Sequence, residues 1–144
     1  MAEAPSVVML MFVAHRAAET RVHDALHAAG FDDVTPAQSR IGQRLRPDGI
    51  RITDLADEAR VTKQTAAALV TELERAGYVV RRPDPTDARA RLVLLTERGR
   101  RLCAAAAAEL EKVEQEWRAH LGAREFDRLR EAMVSLREIT DPYR

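Results

Sequence analysis

The chain has little of what builds small stapled or metal-bound folds. Its 144 residues include one cysteine, Cys103, so there is no internal disulfide and no zinc-ligand spacing. Aromatics make up only 4% of the sequence, and with charge plentiful and apolar residues at 46% the composition suits a soluble helical protein instead of a disordered one. No apolar run is long enough to span a bilayer, since "SVVMLMFVAH" near the start is interrupted by His15 and Arg16. No signal-peptide cleavage pattern follows it, and a cytoplasmic location is the expectation. Nucleophile–base pairs, phosphate-binding glycine loops and paired carboxylates in a cleft signature are all missing, so no enzyme is expected.

What is there suits one helical domain of ordinary size, 46% apolar and 32% charged. The net charge is zero, but it is unevenly spread. Residues 1–34 hold 2 basic and 5 acidic side chains, residues 35–100 hold 13 and 9, and residues 101–144 hold 8 and 9. A basic middle between acidic flanks favours a polyanion partner, because phosphate responds to local field rather than total charge.

Helical spacing predicts a first helix over 6–29, with an apolar stripe of Val7, Leu10, Met11, Ala14, Ala18, Val22 and Leu26 and Gly30 as its left-handed cap. "VTPAQ" opens a second helix, with Thr35 as N-cap, Pro36 in the first turn and Gln38 completing a capping box. "RPDG" ends it. Thr53 is placed to cap a short helix through Ala59, and Thr62 a second that stops at Gly77. The pair forms a helix-turn-helix. "YVVRR" and "RLVLL" then favour strands around a loop over 83–90, and Thr96 caps a long helix to about residue 121. A last helix carries Phe126, Leu129, Met133, Leu136 and Ile139. The fold class is mainly α (α+β), a winged helix-turn-helix.

Such a hairpin reads as a minor-groove probe, because a narrow groove concentrates negative potential. Arg89 is the candidate probe and Asp87 its holder, with Arg81, Arg82 and Arg91 near phosphates. Pro83 and Pro85 restrict the loop, which lowers the entropy lost on docking. The second helix of the motif presents Thr62, Lys63, Gln64 and Thr65 at its N-terminal end, where glutamine suits adenine and lysine suits guanine or phosphate. Ala67 and Ala68 can touch a thymine methyl but donate no hydrogen bond.

The chain resembles the MarR (multiple-antibiotic-resistance regulator) family of bacterial transcription factors. The resemblance rests on "VTPAQ", on "LADEARVTKQTAAALVTELERAGYVVRRPDPTDARARLVLLTERG", and on the wing signature Asp87, Arg89, Leu95, Thr96 and Gly99. It covers nearly the whole chain and is strongest at residues 53–100. It implies a homodimer on a palindromic, inverted-repeat operator, most often a repressor. Residues 1–34 and 101–144 would form the dimerisation region, and residues 35–100 the DNA-binding lobe. Ala67, Ala68 and Ala88 depart from the polar or basic groups common in relatives.

The resemblance also implies a small-molecule effector. Its candidate residues here are Ser39, Gly42, His15, Arg16 and Trp117, with Arg16 suiting a carboxylate and Trp117 an aromatic wall. Glu19, His23 and His27 lie four apart, but no second ligand cluster completes a metal site, so no metal or other cofactor is expected. The family's single-cysteine sensors carry their thiol in the first helix, which has none here. A thiol response through Cys103, next to Arg100 and Arg101, is one alternative. The other is a winged helix that binds protein instead of DNA, kept open by the three alanines.

Overall fold

The computed structural model describes residues 4–143. Among these the order is α1 (Val7–Ala28), α2 (Pro36–Gly42), β1 (Ile50–Arg51), α3 (Ile52–Ala59), α4 (Lys63–Arg75), β2 (Val79–Asp84), β3 (Asp87–Leu95), α5 (Glu97–Leu121) and α6 (Ala123–Thr140). The chain divides into two compact units, residues 22–106 and residues 4–21 with 107–143. The long helices α1 and α5 each contribute to both.

In the central unit the predicted caps set the helix starts. Thr35 and Gln38 exchange both capping-box bonds, at 3.2 and 3.1 Å, and Pro36 sits in the first turn of α2. The Thr62 hydroxyl accepts from the Thr65 amide at 3.0 Å and opens α4. Thr96 accepts from the Gly99 amide at 3.1 Å and donates to the Gly77 carbonyl at 2.5 Å, fastening the start of α5 to the end of α4. Thr53 does not cap α3. Arg51 occupies the N-cap without a side-chain bond, and Thr53 lies inside the helix. The α3–α4 turn places Arg60 in the left-handed region at φ 56°, with the Val61 amide returning to Ala56.

The sheet is antiparallel in the order β1-β3-β2. Its third member, the two-residue β1, pairs Ile50 with Val93 and was not expected from the sequence. Leu55, Ala66, Val70, Leu73, Val79 and Val93 form the core under the sheet and helix-turn-helix. Tyr78, 1% exposed, is pinned at its hydroxyl by Asp33 and by Arg98 at 3.0 Å. That links the α1–α2 connection to the starts of β2 and α5 through groups that satisfy one another.

The terminal unit contrasts sharply. Ala18, Val113 and Phe126 are buried, with Arg118 and Arg130 stacked over the Phe126 ring. Val7, Val8, Leu10, Phe12, Met133 and Ile139 lie on its surface. Among the described residues every strongly exposed large apolar side chain belongs to this unit. Only the second half of the α1 stripe is covered, with Leu26 buried in the central unit and Val22 packed against its core.

Candidate nucleic-acid interface

The hairpin is longer than the expected loop allowed: β2 runs to Asp84 and β3 begins at Asp87, leaving Pro85 and Thr86 as the turn. Pairing is regular from Val79–Leu95 to Pro83–Arg91, then shifts so that Asp84 faces Asp87. Residues 88–90 therefore bulge from the ladder and carry Arg89 outward. A bulge re-aims a side chain while its flanks stay paired.

Asp84 organises the tip, a role the sequence reading did not assign to it. One carboxylate oxygen accepts from the Thr86 amide at 2.8 Å and the Thr86 hydroxyl at 2.7 Å. The other accepts from Arg51 Nε at 2.8 Å and Nη2 at 2.6 Å, a two-pronged bond from β1. The Thr86 donors, and after them Arg51, hold this carboxyl at about 2, below its ordinary 3.8. Its side chain is 7% exposed, so the bridge is shielded better than an ordinary surface pair. The available sequence signal was "DPT", an aspartate two residues before a hydroxyl. Its partner lies 33 residues away and gave no local signal.

Asp87 acts differently from the expectation. It accepts from the Arg89 backbone amide at 3.0 Å, and its other oxygen lies 4.0 Å from Arg51. The Arg89 guanidinium is therefore not held by Asp87; the loop backbone is. Arg81 is turned toward α4, donating to the Thr71 hydroxyl at 3.0 Å. Arg82 and Arg91 are exposed.

At the start of α4, Thr62, Lys63, Gln64 and Thr65 are all exposed. The Thr62 hydroxyl donates to that of Thr65 at 2.9 Å, so both threonines also serve the cap. Ala66 and Val70 face the core, Ala67 is half-buried and Ala68 exposed. Among the described residues Lys63, Arg82, Arg89 and Arg91 have no ion-pair partner, whereas Arg46, Arg51 and Arg98 of the same unit pair with carboxylates. Unpaired cations are the ones free to take phosphate without first breaking a bridge.

The residues singled out for a small ligand are placed as follows. His15 and Arg16 are exposed on α1, with Arg16 bonded to Glu19 at 2.6 Å. Trp117 lines an open groove of about 460 Å³ in the terminal unit with Phe126, Leu129, Arg130 and Met133. Ser39 is half-buried in α2. Gly42 ends that helix instead of lying within it, and a Cβ there would meet nothing within 4 Å. No close approach of another element therefore requires glycine here, and the space beside it is open. The His23 and His27 rings lie 4.3 Å apart, and no cluster of three or more potential metal ligands occurs among the described residues. Burial raises the Cys103 thiol pKa, which disfavours the thiolate. No helix among the described residues is long and apolar enough to cross a membrane.

Comparisons with known proteins agree with this geometry. A profile for the MarR family matches residues 32–90, from the approach to α2 through the wing tip. The transcriptional regulator HosA of Escherichia coli O111:H- is 36% identical over 104 residues, covering 72% of this chain and 77% of its own. The transcriptional regulator PA4135 superposes with a TM-score of 0.72 at 27% identity, over 94% of this chain and 98% of that one. NadR, solved in complex with 4-hydroxyphenylacetate, has a TM-score of 0.72 at 25% identity, over 96% of this chain and 97% of its own. Family and relatives are regulators of transcription, not enzymes. The chain belongs to the MarR family and is a winged-helix transcriptional regulator.

Proposed function

We propose that the protein binds an inverted-repeat DNA operator as a homodimer and represses transcription there, with release by a small aromatic or carboxylate effector. The observation that carries the DNA reading is the set of unpaired cations, Lys63 on α4 and Arg82, Arg89 and Arg91 on the hairpin. Lys63 and Gln64 serve base edges or phosphate in the major groove, Thr62 and Thr65 order the helix end, and Ala67 and Ala68 offer methyl contacts. Arg89 enters the minor groove from the bulge, while Arg82 and Arg91 take phosphates. Asp87 and Asp84 keep the tip in shape. Residues 35–100 supply this lobe.

The dimer reading rests on the terminal unit. Its exposed large apolar side chains cluster on α1 and α6, and a second copy would cover them. Two-fold pairing would set two reading helices about 34–36 Å apart, one turn of duplex. The effector reading draws on the Trp117 groove and on NadR's ligand, an aromatic carboxylate. Enrichment of sequences from random duplexes tests the function. The wild-type chain is expected to recover an inverted repeat, and Lys63→Ala with Arg89→Ala to recover none. Equal recovery by that variant would contradict the interface.

A further inference from the structure

The reading helix α4 is tethered by two side chains from different elements, at adjacent positions. From α2, Gln38 Nε2 donates to Glu72 Oε2 at 2.9 Å. From β2, Arg81 Nη2 donates to Thr71 Oγ1 at 3.0 Å, and that hydroxyl donates to the Ala67 carbonyl at 2.9 Å. Gln38 is 6% exposed, and its amide oxygen is already committed to the Thr35 N–H of the capping box. The amide nitrogen is thus oriented by the cap and free for Glu72 alone. Arg81 is half-buried, with Nε shielded from solvent and Nη2 bonded to Thr71, so this side chain lies against α4 instead of projecting from the wing.

We propose that Gln38 and Arg81 are positioning residues which, through Glu72 and Thr71, set the rotation of α4 about its own axis and so the aim of Lys63 and Gln64. The inference rests on the DNA-reading function above. Adjacent helical residues point about 100° apart, so tethers at both resist roll, which one tether alone would permit. At a side-chain radius of about 5–6 Å, a roll of about 10° moves a reading group by about 1 Å. That is enough to misalign a hydrogen bond to a base edge without weakening backbone attraction to phosphate. Arg81 therefore contributes to specificity, while Arg82 and Arg91 contribute to affinity and its salt dependence.

The test uses the full-length protein, a duplex that the wild type enriches from a random pool, and a shuffled duplex of equal composition. Gln38→Glu sets two carboxylates against each other and is expected to lower the affinity ratio between the duplexes about tenfold. Glu72→Gln keeps an amide–amide bond and should hold the ratio. Gln38→Glu with Glu72→Gln reverses donor and acceptor, retains both capping-box roles, and should restore the ratio to within about twofold. Thr71→Val and Arg81→Met should each lower the ratio, and their combination should do no more than either alone. Salt slopes should stay at the wild-type value in all of them, and Arg82→Ala should make the slope shallower by about 0.9 per protomer bound. The proposal is overturned if Gln38→Glu keeps the wild-type ratio, if the double swap stays as poor as Gln38→Glu, or if Arg81→Met lowers the slope as Arg82→Ala does. Should the wild type enrich no sequence, the DNA reading itself fails, a result distinct from any of these.

Discussion

Two glycines in the central unit should respond to alanine with opposite signs. Gly99, in the first turn of α5, is buried. A Cβ there would overlap the Tyr78 carbonyl oxygen, with Leu95 Cδ2 at 2.9 Å and the Tyr78 carbonyl carbon at 3.1 Å. The obstacle is backbone and cannot rotate away. The same Tyr78 oxygen accepts from the Thr96 amide at 3.0 Å, so pushing α5 outward also loosens the Thr96 cap on Gly77 and Gly99. Overpacking costs about 1–3 kcal/mol. The weakened cap and bond cost about 1–2 kcal/mol more. Alanine's better helix propensity returns about 1 kcal/mol. Gly99→Ala should therefore destabilise by about 1–4 kcal/mol. Gly42→Ala meets open space on a helical backbone and should stabilise by about 0.5–1 kcal/mol. Urea unfolding at equal protein concentration measures both. A Gly99→Ala protein as stable as wild type would refute the close approach, and with it the physical reason given for glycine at that point of the wing signature.

Asp84 makes stability depend on acid in one direction. Its folded pKa, about 2, lies below its ordinary 3.8, so its contribution is complete above about pH 4 and is lost as pH falls through about 2. The stability gap between wild type and Asp84→Asn should be constant near neutrality and shrink as pH falls from about 4 through 2; a gap at pH 2 as large as at neutrality would contradict it. Cys103 should react with iodoacetamide more slowly at pH 8 than a free thiol, since burial raises its pKa; fast labelling would revive the thiol-sensing alternative. Trp117 is the one tryptophan in the sequence, so if a small aromatic carboxylate binds in its groove as proposed, titrating one should change the intrinsic fluorescence saturably. A linear response would remove that groove as an effector site.

Local chemistry explains which parts of the architecture could be read in advance. Thr35 with Gln38, Thr62, Thr96, Gly30 and Gly77 announce helix ends through bonds or torsions within a few residues, and the structure places each in that role. The β1 strand has two residues and no alternation to detect, and it forms because β3 offers it an edge. Thr53 looked like a cap because the type fits, yet Arg51 is already extended and committed to Asp84. The tip shows the same limit. That Arg89 would stand out was legible from the turn, but the Arg51–Asp84 bridge and the Arg81–Thr71 bond join distant elements and leave no periodic trace. The exposed half of the α1 stripe is a related case, since spacing marks an apolar face without showing what covers it.

If Lys63, Arg82, Arg89 and Arg91 bind the DNA backbone as proposed, affinity must depend steeply on salt. If all four act in both subunits of a dimer, about eight counterions are displaced, and the logarithm of affinity should fall with that of salt at a slope of about −7. From about 50 to 200 mM salt, that is a loss of about 10⁴-fold. Arg82→Ala with Arg91→Ala should reduce the slope to about −4. A steep wild-type slope that becomes shallower in the variant is the predicted result; a flat wild-type slope, or an unchanged one in the variant, would contradict it.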